Sequence, residues 1–142
     1  MHVLSKALAI FAATFILGCS AAAPPTALLT VGSAHVSAQL NHVSHHQDSL
    51  FIHGELTLSD ASRKLKSANL NCFALTLDGT TSEGISADSI ASILIDAYHA
   101  DANGQIKAPV YWVFPAGKFA DSPNLSTATL RLKPGQQACF NY

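Results

Sequence analysis

Charge is scarce in this 142-residue chain: eight lysines and arginines and nine aspartates and glutamates, 12% of the residues in all. So few basic residues exclude the Lys/Arg-lined face that nucleic-acid binding, or electrostatic docking on an anionic membrane, requires. Long apolar runs are absent too. The longest, Ala7 to Leu17, falls well short of the roughly 20 residues of a bilayer span. Catalytic signatures are also missing. No serine stands in a Gly-x-Ser-x-Gly elbow or a Ser-x-x-Lys pair, and Ser62 and Ser67 sit in a polar connection where solvation is the expected role. Asp96, Asp101 and Asn103 are not followed by the closing glutamate of a calcium loop, so they read as a turn. The chain is therefore expected to be non-enzymatic and to carry no cofactor.

What the chain does contain begins with an address. Met1-His2-Val3-Leu4-Ser5-Lys6 is a short, weakly basic start, Ala7 to Leu17 has the length of a signal-peptide core, and the run ends in Ile16-Leu17-Gly18-Cys19. This tetrapeptide resembles the lipobox of bacterial lipoproteins, with an aliphatic first position, a small residue before the cut, and the cysteine that becomes the first residue of the mature chain. Ile16 stands where the family most often has Leu. The resemblance is confined to roughly the first 20 residues, the leader and its cut. It implies a diacylglycerol thioether on Cys19 and an acylated amino group, more than the two lipid signals that stable anchoring takes. Ser20, rather than the Asp that retains Gram-negative lipoproteins in the inner membrane, implies the outer membrane. A plain secretory signal with an incidental cysteine is the alternative, and it too exports the domain.

The chain then divides into a signal peptide over 1–18, a lipidated N-terminus and tether over 19–30, and one domain over 31–142. Ala21-Ala22-Ala23-Pro24-Pro25-Thr26 has the small, proline-bearing composition of a spacer. Lys6 leaves with the leader, so the mature balance is 7 basic against 9 acidic residues, a net charge of −2. With Cys19 assigned to lipid, Cys72 and Cys139 remain. In an oxidising compartment they are expected to form a disulfide; the alternative is two thiols holding a metal. A bridge closing roughly 67 residues is worth at most about 4 kcal/mol on the chain-entropy account.

Most of the remainder alternates with period two. Val36-Ser37-Ala38-Gln39-Leu40 and Leu50-Phe51-Ile52-His53-Gly54-Glu55-Leu56-Thr57-Leu58 are expected to pair as a hairpin, with Leu40 facing Ile52, Val36 facing Leu56, Gln39 opposite His53 and Asn41 opposite Phe51. Leu58 to Leu65 could hold one helical turn capped by Ser59 or Asp60. Asn69 to Leu77 resumes alternation and stops at Asp78-Gly79, a turn signal. Residues 86–102 are ambiguous. Ile90, Ile93, Leu94, Ala97 and Tyr98 fit one helical face, yet the β-branched cluster and Asn103-Gly104 favour two strands feeding Val110-Tyr111-Trp112-Val113-Phe114. Ala128 to Lys133 and Ala138 to Tyr142 close the chain around Pro134-Gly135. The expected fold is all-β, a single immunoglobulin-like antiparallel β-sandwich, with one short helix as the alternative over 86–102.

Phe51-Ile52-His53-Gly54-Glu55-Leu56, then Leu94-Ile95-Asp96-Ala97-Tyr98-His99-Ala100-Asp101-Ala102-Asn103-Gly104, then Leu132-Lys133-Pro134-Gly135-Gln136, resemble the order of a glycine-bearing strand, an Asp-turn strand and a late Leu-Lys-Pro-Gly turn in FxLYD-type immunoglobulin-like domains of bacterial lipoproteins. The intervening segments are longer here. The resemblance covers about half of the mature chain. It implies an adhesive or scaffolding habit and carries no site residues.

Two groups remain as candidate sites. His42-Val43-Ser44-His45-His46-Gln47-Asp48 holds three of the seven histidines. Adjacent histidines on a strand point to opposite faces, so His42, His45, His46 and Asp48 could share an ion only through a turn, or with His53 reached across the hairpin. A solvated hairpin tip is the expected reading, with a metal site and a pH sensor as the others. Tyr111 and Trp112 fall on opposite faces of one strand, so one belongs to the core and the other is a candidate anchor for a partner. Together these observations describe an outer-membrane lipoprotein, held to the membrane by its lipid, that binds another envelope protein and no nucleic acid. A metal-binding lipoprotein using the histidine stretch is the alternative.

Overall fold

Alternation of apolar and polar side chains builds most of the fold. The computed structural model describes residues 18, 21–82, 84–87, 98–119, 122–134 and 139–142. Residues 1–17 of the expected leader, Cys19 with its expected lipidation, and 88–97 lie outside the described residues. Eleven strands are described: β1 Thr26–Val31, β2 Ala34–His46, β3 Ser49–Asp60, β4 Ser67–Ala68, β5 Phe73–Leu77, β6 Thr80–Thr81, β7 Gly84–Ala87, β8 Tyr98–His99, β9 Gln105–Pro115, β10 Thr129–Leu132 and β11 Phe140–Asn141. All pairings are antiparallel.

The strands form a five-stranded sheet in the order β1-β2-β3-β9-β7 and two three-stranded sheets, β10-β5-β6 and β11-β4-β8, with the β5 sheet facing the first across the core. The protein is an all-β antiparallel sandwich, as its alternation implies. Every second residue of β3 and β9 is buried along most of their length, placing Leu50, Ile52, Leu56, Leu58, Ile106, Val110, Trp112 and Phe114 between the layers. Phe73, Leu75 and Leu77 of β5 meet them from the opposite side in one continuous core. Each large apolar side chain fully withdrawn from water here contributes roughly 1.5–3 kcal/mol. Trp112 is 0% exposed, and its indole N–H donates to the Phe73 carbonyl at 3.3 Å, so its one polar atom is satisfied across the layers.

The Cys72–Cys139 disulfide forms, with Cα atoms 5.8 Å apart. It ties the 3₁₀ turn Leu70–Cys72 to the entry of the last strand, where the Asn69 N–H donates to the Cys139 carbonyl at 2.9 Å. Asp78-Gly79 turns the chain as expected, with φ of 47° and 77°, between the paired Leu77 and Thr80.

Several expectations change. The sheet starts at Thr26 rather than after residue 30, because β1 pairs with β2 from Thr26↔Gln39 onward, and the Pro25 carbonyl just before it accepts from Leu40 N–H at 2.8 Å. The β2–β3 register is Val36↔Leu58, Ala38↔Leu56 and Leu40↔Gly54, two residues from the expected one, and it shifts between Leu40 and His42. The histidine stretch is not a loop. Residues 42–46 continue β2 to a closing pair, His46↔Ser49, around the two-residue turn Gln47-Asp48. No helical turn forms after Leu58, since β3 runs through Asp60. Instead the Asp60 carboxylate accepts from the Ser62 hydroxyl and from the N–H groups of Ser62, Lys64 and Leu65 at 2.5–3.1 Å. Of the ambiguous segment, the described ends are strands, β7 and β8, and β8 pairs with β4 rather than β9.

Candidate functional site

The bulge after Leu40 decides what the outer face of the five-stranded sheet presents. An extra residue in one strand reverses the side-chain parity beyond it. Before the bulge Val36, Ala38 and Leu40 point inward and are buried. Beyond it the outward positions of β2 are those paired with outward positions of β3: His42↔His53, Ser44↔Phe51 and His46↔Ser49. Across β3 the row continues into β9 as His53↔Tyr111 and Phe51↔Val113.

Gly54 makes this geometry possible. A Cβ built on it would lie against the Gln39 carbonyl oxygen, with the Gln39 carbonyl carbon at 3.3 Å and Trp112 Cζ3 at 3.4 Å. Only glycine admits so close an approach of β2 to β3 beside the bulge.

The result is a contiguous imidazole and aromatic surface. The His42 and His53 rings stack with centroids 4.2 Å apart and planes 6° from parallel. His53 Nε2 lies 2.9 Å from Ser44 Oγ, which fixes the ring's rotation. Tyr111 tilts against both Phe51, at 5.5 Å, and His53, at 5.8 Å. Phe51, His53 and Tyr111 are half-buried while His42 is exposed, so rings supported from below still offer their upper surfaces. Beside them the Glu55–Lys107 pair, 3.2 Å apart and open to solvent, adds charge but little stability, about 0–1 kcal/mol.

The proposed metal set does not converge. His42 and His46 face outward about 13 Å apart along the strand, while His45 shares the parity of Val43 and so leaves from the other face. Asp48 sits in the turn, where its carbonyl accepts from Ala116 N–H at 2.9 Å. Among the described residues no three His, Cys, Asp or Glu side chains gather to hold an ion. Cys72 and Cys139 are joined to each other. Of the two aromatic candidates, Trp112 is wholly in the core and is not an anchor for a partner; Tyr111 is on the outer face. The histidine that matters most to the surface, His53, comes from β3, and Phe51 and Ser44 complete the group. Asp101 is held by its own turn, its carboxylate accepting from Asn103 and Gln105 N–H at 2.8 and 3.0 Å.

No helix among the described residues is long and apolar enough to cross a membrane. No family model matches the chain, and no curated protein or solved structure matches it.

Proposed function

We propose that this chain is a lipid-anchored lipoprotein of the outer membrane that acts without catalysis, binding another envelope protein through the outer face of its five-stranded sheet. The observation that supports this reading is the His42–His53–Phe51–Tyr111 surface: rings locked by stacking and by Ser44 lose little conformational entropy on contact, the property of an interface centre. Ser44 and His53 share the donor–acceptor pairing of a nucleophile and its base. On an open sheet face, with His42 stacked over the ring, we read the contact as one that positions the imidazole. The anchor rests on Ile16-Leu17-Gly18-Cys19, and the lipid would keep the binding face within a tether's reach of the membrane.

Two measurements test this reading. Growth of producing cells with labelled palmitate leads to label in the protein and none in the Cys19→Ser variant; a soluble, unlabelled, normally cleaved product would refute the anchor. Purification of the full chain from solubilised membranes brings a stoichiometric protein partner, and Phe51→Ala with Tyr111→Ala abolishes its recovery. Undiminished recovery would refute the assignment of this face.

A further inference from the structure

The second layer carries a cavity of about 520 Å³ that the reading above does not use, lined by Ala74, Thr81, Ser82, Arg131, Leu132 and Lys133. The β10–β5–β6 sheet assembles it. Arg131 pairs with Ala74, and Lys133 N–H donates to the Cys72 carbonyl at 2.8 Å, carrying the pairing one residue past β10. Residues two apart on a strand share a face, so Arg131 and Lys133 rise on the same side, about 7 Å apart along the chain. Between them and the neighbouring strand lies Ala74, 1% exposed, whose small side chain leaves the floor low.

Hydrogen-bond donors stand around this floor. Ser82 is 6% exposed, its N–H donates to the Leu75 carbonyl at 2.8 Å, and its hydroxyl oxygen accepts from Leu75 N–H at 3.0 Å. With that oxygen engaged, its O–H is left to donate. Among the described residues no carboxylate lines the cavity, and neither Arg131 nor Lys133 makes an ion pair with one of them. Burial also holds the Lys133 ammonium below its ordinary pKa, so a bound negative charge would favour its charged form. Two of only eight basic residues thus meet at one concave place.

We propose that this cavity binds a phosphate group, Arg131 taking two of its oxygens in a fork, Lys133 supplying a point charge and the Ser82 hydroxyl a third donor. Donors on β10, on its continuation and on the loop after β6 suit a tetrahedral anion with several free oxygens better than a planar carboxylate with two. A free phosphate or monoester and the phosphodiester of a lipid headgroup both present such oxygens.

The test is amide NMR of the isotope-labelled full chain in uncharged detergent micelles, titrated at constant ionic strength with inorganic phosphate and, separately, with glycerophosphoglycerol. Saturable shifts at Ser82, Leu132 and Lys133 are expected. Arg131→Gln with Lys133→Gln weakens binding by about tenfold or more, Ser82→Ala by a smaller factor, and Lys107→Gln on the opposite sheet leaves it unchanged. The spectra themselves report that each variant is folded. Saturation by inorganic phosphate alone assigns the free group, and saturation by glycerophosphoglycerol at equal or lower concentration assigns a headgroup. Shifts that never saturate, that sodium chloride reproduces, or that survive the double substitution would overturn the proposal.

Discussion

His42 and His53 lie face to face across the β2–β3 pair, ring centroids 4.2 Å apart, with Ser44 bonded to the edge of the His53 ring. A cross-strand pair of this kind is worth about 0.2–1 kcal/mol. In a double-mutant cycle with His42→Ala and His53→Ala, urea unfolding at neutral pH is expected to show a coupling of that size. Strict additivity would show that the rings merely lie near each other.

Gly54 is the residue on which the bulge and the ring surface both depend. Gly54→Ala places a methyl group against the backbone carbonyl of Gln39, an atom that cannot swing aside as a flexible side chain would. The expected cost is about 1–3 kcal/mol of stability, together with displaced His42 and His53 resonances in NMR spectra. A neutral substitution would mean that β2 gives way without strain.

The disulfide closes a loop of sequence separation 67 between two buried cysteines. Cys72→Ala and Cys139→Ala are each expected to cost about 2–5 kcal/mol, and the double variant little more than either alone. Chemical denaturation of the oxidised proteins reads this directly. Costs that add would contradict a shared bond.

Asp60 gives the fold a pH dependence of definite sign. The Ser62 hydroxyl bond, despite opposing desolvation, and further bonds from Ser33 and from Lys64 and Ser62 N–H hold its carboxyl well below the usual carboxylate range. A depressed folded pKa means the stabilisation is complete above the unfolded value, about 3.9, and is lost as pH falls from there through the folded one. Asp60→Asn is therefore expected to lower Tm at pH 7, with the gap from the unsubstituted protein narrowing from about pH 4 downward. A gap independent of pH would show that charge on Asp60 is irrelevant to the turn.

Alternation alone made β3 and β9 legible, because each buries every second residue, and it placed Tyr111 and Trp112 on opposite faces. It did not say which face is the core; that depends on what β5 brings opposite, namely Phe73 and its carbonyl. The β2–β3 register was illegible for a similar reason. Period-two patterns match equally well after a slip of two residues, and the shift between Leu40 and His42 is favoured by a backbone approach at Gly54 that leaves no mark on hydrophobicity. Reading His42 to Asp48 as a tip hid the ring surface, since its other members lie on β3 and β9. The cavity at Arg131 and Lys133 escaped notice because only the β5–β10 pairing brings those residues beside Ala74 and Ser82.

The proposed role of the outer face is tested most directly by site-specific photo-crosslinking in living cells, with benzoylphenylalanine in place of Tyr111 or, as control, of Thr76, a half-buried residue on β5 of the other layer. One discrete adduct with an envelope protein is expected from position 111, lost when Phe51→Ala is added, and none from position 76. No adduct from 111, or the same adducts from both positions, would contradict it.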